Sequence, residues 1–275
     1  MQNQSNLEVV RVRHPLKFRL LRVTRVETLS SALVRVTLTG DLSDFVSASF
    51  DDHVKVFFPA PGEDKPALPS LGPDGIAFPD GVERPAARDY TPRRFDNNAN
   101  ELDLEFALHE AGPATAWAAQ AKPGQYLGVG GPRGSMVIPT GFDWHLLVGD
   151  ETALPAIQRR LSELPSGARV AVVVEVANRA ARIALPTEAD LYATWVYRDE
   201  LEGEQAEQAA QPLVDALGEV WLPPGEGYVW AAGEASAIRA VRAYLCNDRG
   251  VDKKRIRASA YWRRGAQAAH ETIDD

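Results

Sequence analysis

What the chain lacks narrows its chemistry first. Among 275 residues there is one cysteine, Cys246. A single thiol closes no disulfide within the chain, and a cysteine-ligated iron–sulfur cluster needs several. No apolar run reaches the length of a membrane span. The opening MQNQSNLEVVRVRHPLKF has no apolar segment of the kind a secretory signal carries. Positive charge is also short: 30 Lys and Arg against 38 Asp and Glu leave a formal net charge of −8 and a pI near 5.3. Phosphate backbones call for a basic face, so DNA and RNA are poor candidates as partners. His14, His53, His109, His145 and His270 show no H-E-x-x-H or other ligand spacing. Neither G-x-G-x-x-G nor G-x-x-x-x-G-K-[ST] occurs. These absences lead us to expect a cytoplasmic monomer with no resident metal, no membrane segment and no nucleic-acid partner.

What is present divides into two halves with different periods. In the first, apolar and β-branched residues alternate with polar ones in Phe18–Val26, Leu33–Leu38, Val54–Phe58 and Leu102–Phe106. Short alternating strands separated by polar turns point to an antiparallel barrel or sandwich. Residues Pro59 to Pro85 break the rhythm with prolines and glycines and read as one long loop. Near Gly141 the pattern changes to continuous apolar runs, His145–Val148, Val170–Val174 and Tyr228–Ala232. Strands buried on both faces read this way, as in parallel sheets. Helical stretches fall between them, at Leu154–Leu164, about Gln205–Leu217 and Ala235–Cys246. Strand–helix alternation predicts a doubly wound α/β domain over residues 141–275, after a β domain over 1–140. The acidic, Gln-rich Glu200–Gln211 segment reads as a solvated face or a loose connection.

Ligands of open α/β sheets lie outside the carboxyl ends of the strands. Those ends are Gly149-Asp-Glu-Thr152, Glu175-Val-Ala-Asn178 and Ala231-Ala-Gly-Glu234, each leading out of an apolar run. Together they suit a dinucleotide, although each alone is also an ordinary strand-to-helix turn. Arg179, Arg182 and Arg198 are the cations available for a 2′-phosphate, so NADH and NADPH both remain open. In the first half the strongest local signal is Arg88-Asp-Tyr-Thr-Pro-Arg93. A flavin needs a cation for its pyrophosphate, an aromatic surface for its ring and a hydrogen-bond partner for its N5 edge. Arg88, Tyr90 and Thr91 supply those groups in order, with Arg88 and Tyr90 on one face of a strand. His109-Glu-Ala-Gly-Pro-Ala-Thr115 follows, where Gly112-Pro113 starts a helix whose N-terminus suits a pyrophosphate.

Six segments in this order complete the picture: Asp52-His-Val-Lys-Val-Phe-Phe-Pro59, Arg88–Arg93, Gly130-Gly-Pro-Arg-Gly-Ser135, Gly149-Asp-Glu-Thr-Ala-Leu-Pro-Ala156, Trp230-Ala-Ala-Gly-Glu234 and Tyr261-Trp-Arg-Arg-Gly265. By them the chain resembles, from about Leu16 to Gly265, the siderophore-interacting protein family, a branch of the ferredoxin-reductase-like flavoproteins. The resemblance implies an antiparallel six-stranded flavin-binding β-barrel followed by a doubly wound parallel-sheet NAD(P)-binding domain. It implies FAD held by Arg88, Tyr90 and Thr91, with His109, Gly112, Ala114 and Thr115 near the phosphates and Gly134 and Ser135 near the ring. Thr152, Glu175, Gly233 and Glu234 are then expected at the nicotinamide. Lys55, Arg133 and Arg263 match the family's basic cluster for the ferric siderophore, a catecholate or hydroxamate complex. The activity implied is reduction of Fe(III) to Fe(II) by NAD(P)H or a ferredoxin through FAD, with iron entering as substrate and no side chain acting as nucleophile or general base. Two other readings share parts of the sequence: a general NAD(P)H:flavin or protein-acceptor reductase, and a non-catalytic siderophore-binding protein.

Overall fold

The computed structural model describes residues 7–73, 75–108, 112–202, 210–265 and 271–273. Two compact units form. One is Val9–Ile138. The other is Pro139–Asp275 together with the N-terminal residues up to Glu8, where Arg255 donates to the Leu7 carbonyl at 3.2 Å.

The first unit is built from β1 (Val10–Arg13), β2 (Phe18–Ser30), β3 (Leu33–Thr39), β4 (Val54–Phe57), β5 (Ser70–Gly72), β6 (Gly75–Ala77), β7 (Ala87–Tyr90), β8 (Pro92–Asp96), β9 (Glu101–Ala107), helix α1 (Pro113–Ala118), β10 (Tyr126–Gly130) and β11 (Gly134–Val137). Seven strands pair antiparallel in the order β7-β4-β10-β2-β3-β9-β8. The alternation read in the sequence is the cause. Leu21 and Val23, Val36 and Leu38, Val54 and Val56, and Leu102 and Leu104 all face one interior, as side chains two apart on a strand must. The ladder counts seven strands where six were expected. Its two ends, β7 and β8, are consecutive on the chain and separated only by Thr91. One bent stretch thus pairs with β4 through its first half and with β9 through its second, so the sheet curls back on itself. The loop expected over Pro59–Pro85 contains a short hairpin, β5 with β6. It is packed down where Phe78 meets Phe57 edge-on at 6.1 Å and Lys65 sits 4.7 Å over the Tyr126 ring.

The second unit comprises β12 (Trp144–Gly149), α2 (Leu154–Glu163), β13 (Arg169–Val176), β14 (Asp190–Tyr197), α3 (Gln211–Gly218), β15 (Gly227–Glu234), α4 (Ala235–Asn247), β16 (Ile256–Trp262) and β17 (Glu271–Thr272). The sheet order is β14-β13-β12-β15-β16-β17, parallel except for β17. Strand order therefore reverses between β12 and β15, which puts the switch point at their carboxyl ends. Every residue of β12 and of β15 is buried, which explains the unbroken apolar runs. On one face Leu146, Val148, Val229 and Ala231 pack with Leu213 and Leu217 of α3 and Ile238 and Val241 of α4. His145 and Tyr228 point to the other face, where Arg160 of α2 lies close enough to act on both. The edge strand β14 was not read from the sequence; three of its eight residues are exposed and none is buried. Helix α3 begins at Gln211; the earlier part of the stretch expected from Gln205, like most of the acidic Gln-rich segment, lies outside the described residues.

Candidate functional site

In the first unit the side chains expected at the flavin ring and pyrophosphate gather at the bend that joins β7 to β8. Register places Arg88 opposite Val56 and Tyr90 opposite Val54, so both share the face of the buried valines. The Tyr90 ring rests on Phe106, with centroids 4.4 Å apart, and meets Phe58 edge-on at 6.3 Å. It is half-buried, and burial pushes its phenol above the ordinary range. Arg88 spends one N–H on its neighbour's carbonyl, Ala87 O, at 2.8 Å. Thr91 is buried at 6% exposure. Among the described residues neither the Tyr90 nor the Thr91 hydroxyl has a hydrogen-bond partner, and the rest of the Arg88 guanidinium has none. A cation, a phenol and a hydroxyl without protein partners on one bend are the donor set that a flavin with its pyrophosphate requires, so these residues fit FAD.

The same aromatic cluster draws in the second segment expected near the flavin. Trp117 of α1 packs 5.7 Å from Phe106 and 5.9 Å from Phe58. Gly112 stands at the helix start with Pro113 in its first turn and no side chain capping it, and open space lies beyond Gly112. Ala114 packs on the core, while Thr115 is half-buried. Phe106 thereby brings the Arg88–Thr91 bend and the Gly112–Thr115 turn together. His109 lies outside the described residues.

Four other expected residues lie elsewhere in this unit. The Ser135 hydroxyl donates to Asp52 Oδ2 at 2.6 Å, accepts the Ala48 N–H at 3.0 Å and meets His14 Nε2 at 2.7 Å. Its hydrogen-bonding capacity is spent inside the fold. At Gly134 a Cβ would come within 2.6 Å of the Val12 carbonyl oxygen, so the glycine lets β1 lie against β11. Lys55 pairs in register with Asp89, on the face of the sheet opposite Arg88 and Tyr90, and its Nζ is 2.7 Å from Asp89 Oδ1. Arg133 is exposed, and its side chain has no partner among the described residues.

In the second unit the three strand ends converge on acidic groups. Asp150 is buried, and its Oδ1 accepts both the N–H and the hydroxyl of Thr152, at 2.9 and 2.5 Å. Its Oδ2 accepts the Glu234 N–H at 3.0 Å and the Trp262 indole N–H at 2.7 Å. Gly233, at φ +153°, has no Cβ; one there would lie 2.6 Å from Asp150 Oδ2. Glu234 caps α4 by accepting from Ser236 N at 2.7 Å and Ala237 N at 3.1 Å, and it also accepts from Arg264 N at 3.3 Å. Burial raises its pKa, but these donors outweigh burial and the net shift is downward. Glu175 is pushed upward by burial, against the pull of Arg198 3.1 Å away. Arg198 also grips Glu151, which in turn accepts the Ala177 N–H at 2.6 Å. Of the three arginines considered for a 2′-phosphate, Arg198 is thus committed to carboxylates. Arg179 pairs with Glu200 at the surface and lies 4.6 Å over the Tyr197 ring. Arg182 lies 5.4 Å over Trp195 and has no acceptor among the described residues. Both border an open groove floored by Leu191, Ala193 and Trp195 of β14. Arg263 is exposed and 3.4 Å from Glu271.

Sequence reasoning missed Asp150. The available signal was an aspartate two residues before Thr152, the spacing of an Asx turn.

Two family models cover nearly the whole chain: a siderophore-interacting FAD-binding domain over residues 22–136 and a siderophore-interacting protein domain over 142–265. The NADPH-dependent ferric-chelate reductase of Escherichia coli (strain K12) is 38% identical over 92% of this chain and 95% of its own. This chain belongs to the siderophore-interacting protein family. Other members lie close by. The ferric vibriobactin reductase ViuB of Vibrio cholerae is 34% identical over 92% of this chain and 93% of its own. The crystal structure of a siderophore utilization protein from T. fusca superposes with a TM-score of 0.83 at 38% identity, over 95% of this chain and 98% of that one. The family's FAD-binding segment contains the whole Arg88–Thr91 bend and the Gly112–Thr115 turn.

Proposed function

We propose that this protein is an FAD-dependent NAD(P)H:ferric-siderophore oxidoreductase of the cytoplasm. The observation that carries the reading is the unpartnered donor set at the Arg88–Tyr90–Thr91 bend, in a chain of this family. FAD, when bound, supplies the conversion between two-electron hydride oxidation and one-electron reduction of Fe(III). The protein's part is to bind and orient. Arg88 offsets the pyrophosphate charge, and Gly112 leaves room for it at the start of α1. Tyr90, braced from behind by Phe106, offers aromatic surface and a phenol that stays protonated. Thr91 offers a hydroxyl at the bend itself.

The strand ends at Thr152, Gly233 and Glu234 are the proposed nicotinamide side of the dinucleotide. The β14 groove is proposed for its adenosine end, where Arg182 and Trp195 offer a cation and an aromatic face to a 2′-phosphate and a base. This favours NADPH, the donor named for the Escherichia coli relative. Arg133 is proposed to receive the chelate, and its unspent charge suits an anionic complex such as a ferric catecholate. Fe(II) holds hard oxygen ligands less tightly than Fe(III), so reduction releases the iron. No proton transfer from a side chain is required.

The test is spectroscopic. Purified protein supplied with FAD should show bound-flavin absorbance. After anaerobic photoreduction, a ferric siderophore should reoxidise it faster than free flavin or a protein acceptor does. A colourless protein that refuses FAD would falsify the reading. Reoxidation indifferent to the ferric chelate would favour the general flavin reductase instead.

A further inference from the structure

Three strand ends of the parallel sheet meet on one side chain. Asp150 follows the last residue of β12. Its Oδ1 takes two donors from Thr152, in the turn into α2. Its Oδ2 takes the Glu234 N–H, at the end of β15, and the Trp262 indole, at the end of β16. Gly233 permits the approach, because a Cβ there would stand 3.0 Å from Asp150 Cγ. None of the four donors is a cation, and Glu151 lies next in the chain. Burial and the neighbouring carboxylate both push the Asp150 pKa upward, against the donors. A buried charge held without a counter-ion costs stability, so the arrangement is poorly explained as a device for holding the fold.

We infer that Asp150 is the positioning residue of the nucleotide site: its carboxylate sets the relative placement of Thr152, the Gly233-Glu234 strand end and Trp262. The inference rests on reading these strand ends as that site. A carboxylate alone accepts all four donors. It presents acceptors in both directions, whereas an asparagine amide has an oxygen on one side and two N–H donors on the other. An amide turned with its N–H groups toward Thr152 could donate to that hydroxyl but would oppose the Thr152 N–H; turned the other way, it would oppose both the Glu234 N–H and the Trp262 indole and lose that tether.

The experiment uses the full chain loaded with FAD. NADP⁺ and NAD⁺ are titrated calorimetrically into wild type and Asp150→Asn, with the Trp262 indole N–H resonance and the melting temperature recorded for each. Wild type should bind at least one nucleotide. Asp150→Asn should bind it at least tenfold more weakly, with a displaced Trp262 resonance and a melting temperature equal to or above wild type. Equal affinity in the two proteins overturns the inference, as does a lower melting temperature with affinity intact, the mark of a structural role alone. Wild type that binds neither nucleotide overturns the site reading beneath it. If Asp150→Asn does not fold, Trp262→Phe removes one of the four donors and should weaken binding about three- to tenfold; unchanged affinity there overturns the inference equally.

Discussion

Gly149→Ala isolates one methyl group at the switch point. Built on the backbone, that Cβ would lie 2.4 Å from Ala153 Cβ and 2.5 Å from the Ala232 carbonyl oxygen. Carbon contacts settle at about 3.5 Å or more, so one neighbour or the other must retreat by about 1 Å. Neither is the far end of a flexible side chain. Ala153 is the cap residue of α2, and Ala232 sits in β15, paired with Gly149 itself. Overpacking of this kind costs roughly 1–3 kcal/mol, and immovable backbone puts the value near the top. For a unit of this size that is a fall in melting temperature of about 6–12 °C. The same displacement moves the turn that carries Asp150 and Thr152, and a misplacement of about 1 Å can cost as much as ~100-fold in rate. Calorimetry reads the first effect, and stopped-flow reduction of bound flavin by NADPH reads the second. Unchanged melting with an unchanged hydride-transfer rate would show that the close approach of β12, β15 and α2 is not what this structure makes it.

Three further outcomes follow from the geometry. Tyr90→Ala should leave a protein that loses FAD on gel filtration, with the flavin-to-protein absorbance ratio as the measure, since aromatic contacts and a phenolic hydrogen bond are worth about 1–3 kcal/mol together; full retention of colour contradicts the assigned role. Arg133→Ala should raise the KM for a ferric catecholate about three- to tenfold with FAD content intact, whereas Lys55→Ala should change it less, because Lys55 is already paired with Asp89; KM is read under steady state, and equal effects would return Lys55 to the chelate site. His145 is held at a pKa of about 4 by burial, with Arg160 adding to the effect. A lowered histidine pKa means that the unfolded chain takes up the proton first. Stability should therefore fall as pH drops from about 6.5 towards 4, by roughly 3 kcal/mol in all, and His145→Phe should flatten that slope in urea unfolding; an identical slope in the variant removes His145 as its source.

Much of this architecture could be read before any coordinates. Period-two alternation marked the strands of the first unit because an antiparallel sheet with one buried face leaves that pattern. Unbroken apolar runs marked β12, β13 and β15 because central parallel strands are buried on both sides. That Arg88-Asp-Tyr lies on a strand, and that Thr152, Gly233 and Glu234 lie at or just beyond strand ends, was legible too, since local spacing displays both. The edge strand β14 was not, because none of its residues is buried and its sequence shows neither strict alternation nor an unbroken apolar run. Nor was the hairpin inside the proline-rich loop, whose strands are only three residues each.

What the sequence determined by itself was therefore the order of elements, their periods and the chemical types offered at each turn, all of which depend on residues near one another in the chain. What only the tertiary structure decided was which of those groups are already spent. Ser135 is consumed by Asp52 across 83 positions, Lys55 by Asp89 across 34, and Arg198 by Glu151 across 47, whereas Asp150 gathers donors from as far as Trp262. Hydrogen bonds and ion pairs act over a few ångströms in space regardless of separation in sequence. A residue's availability to a ligand is thus settled by neighbours that no local pattern can name.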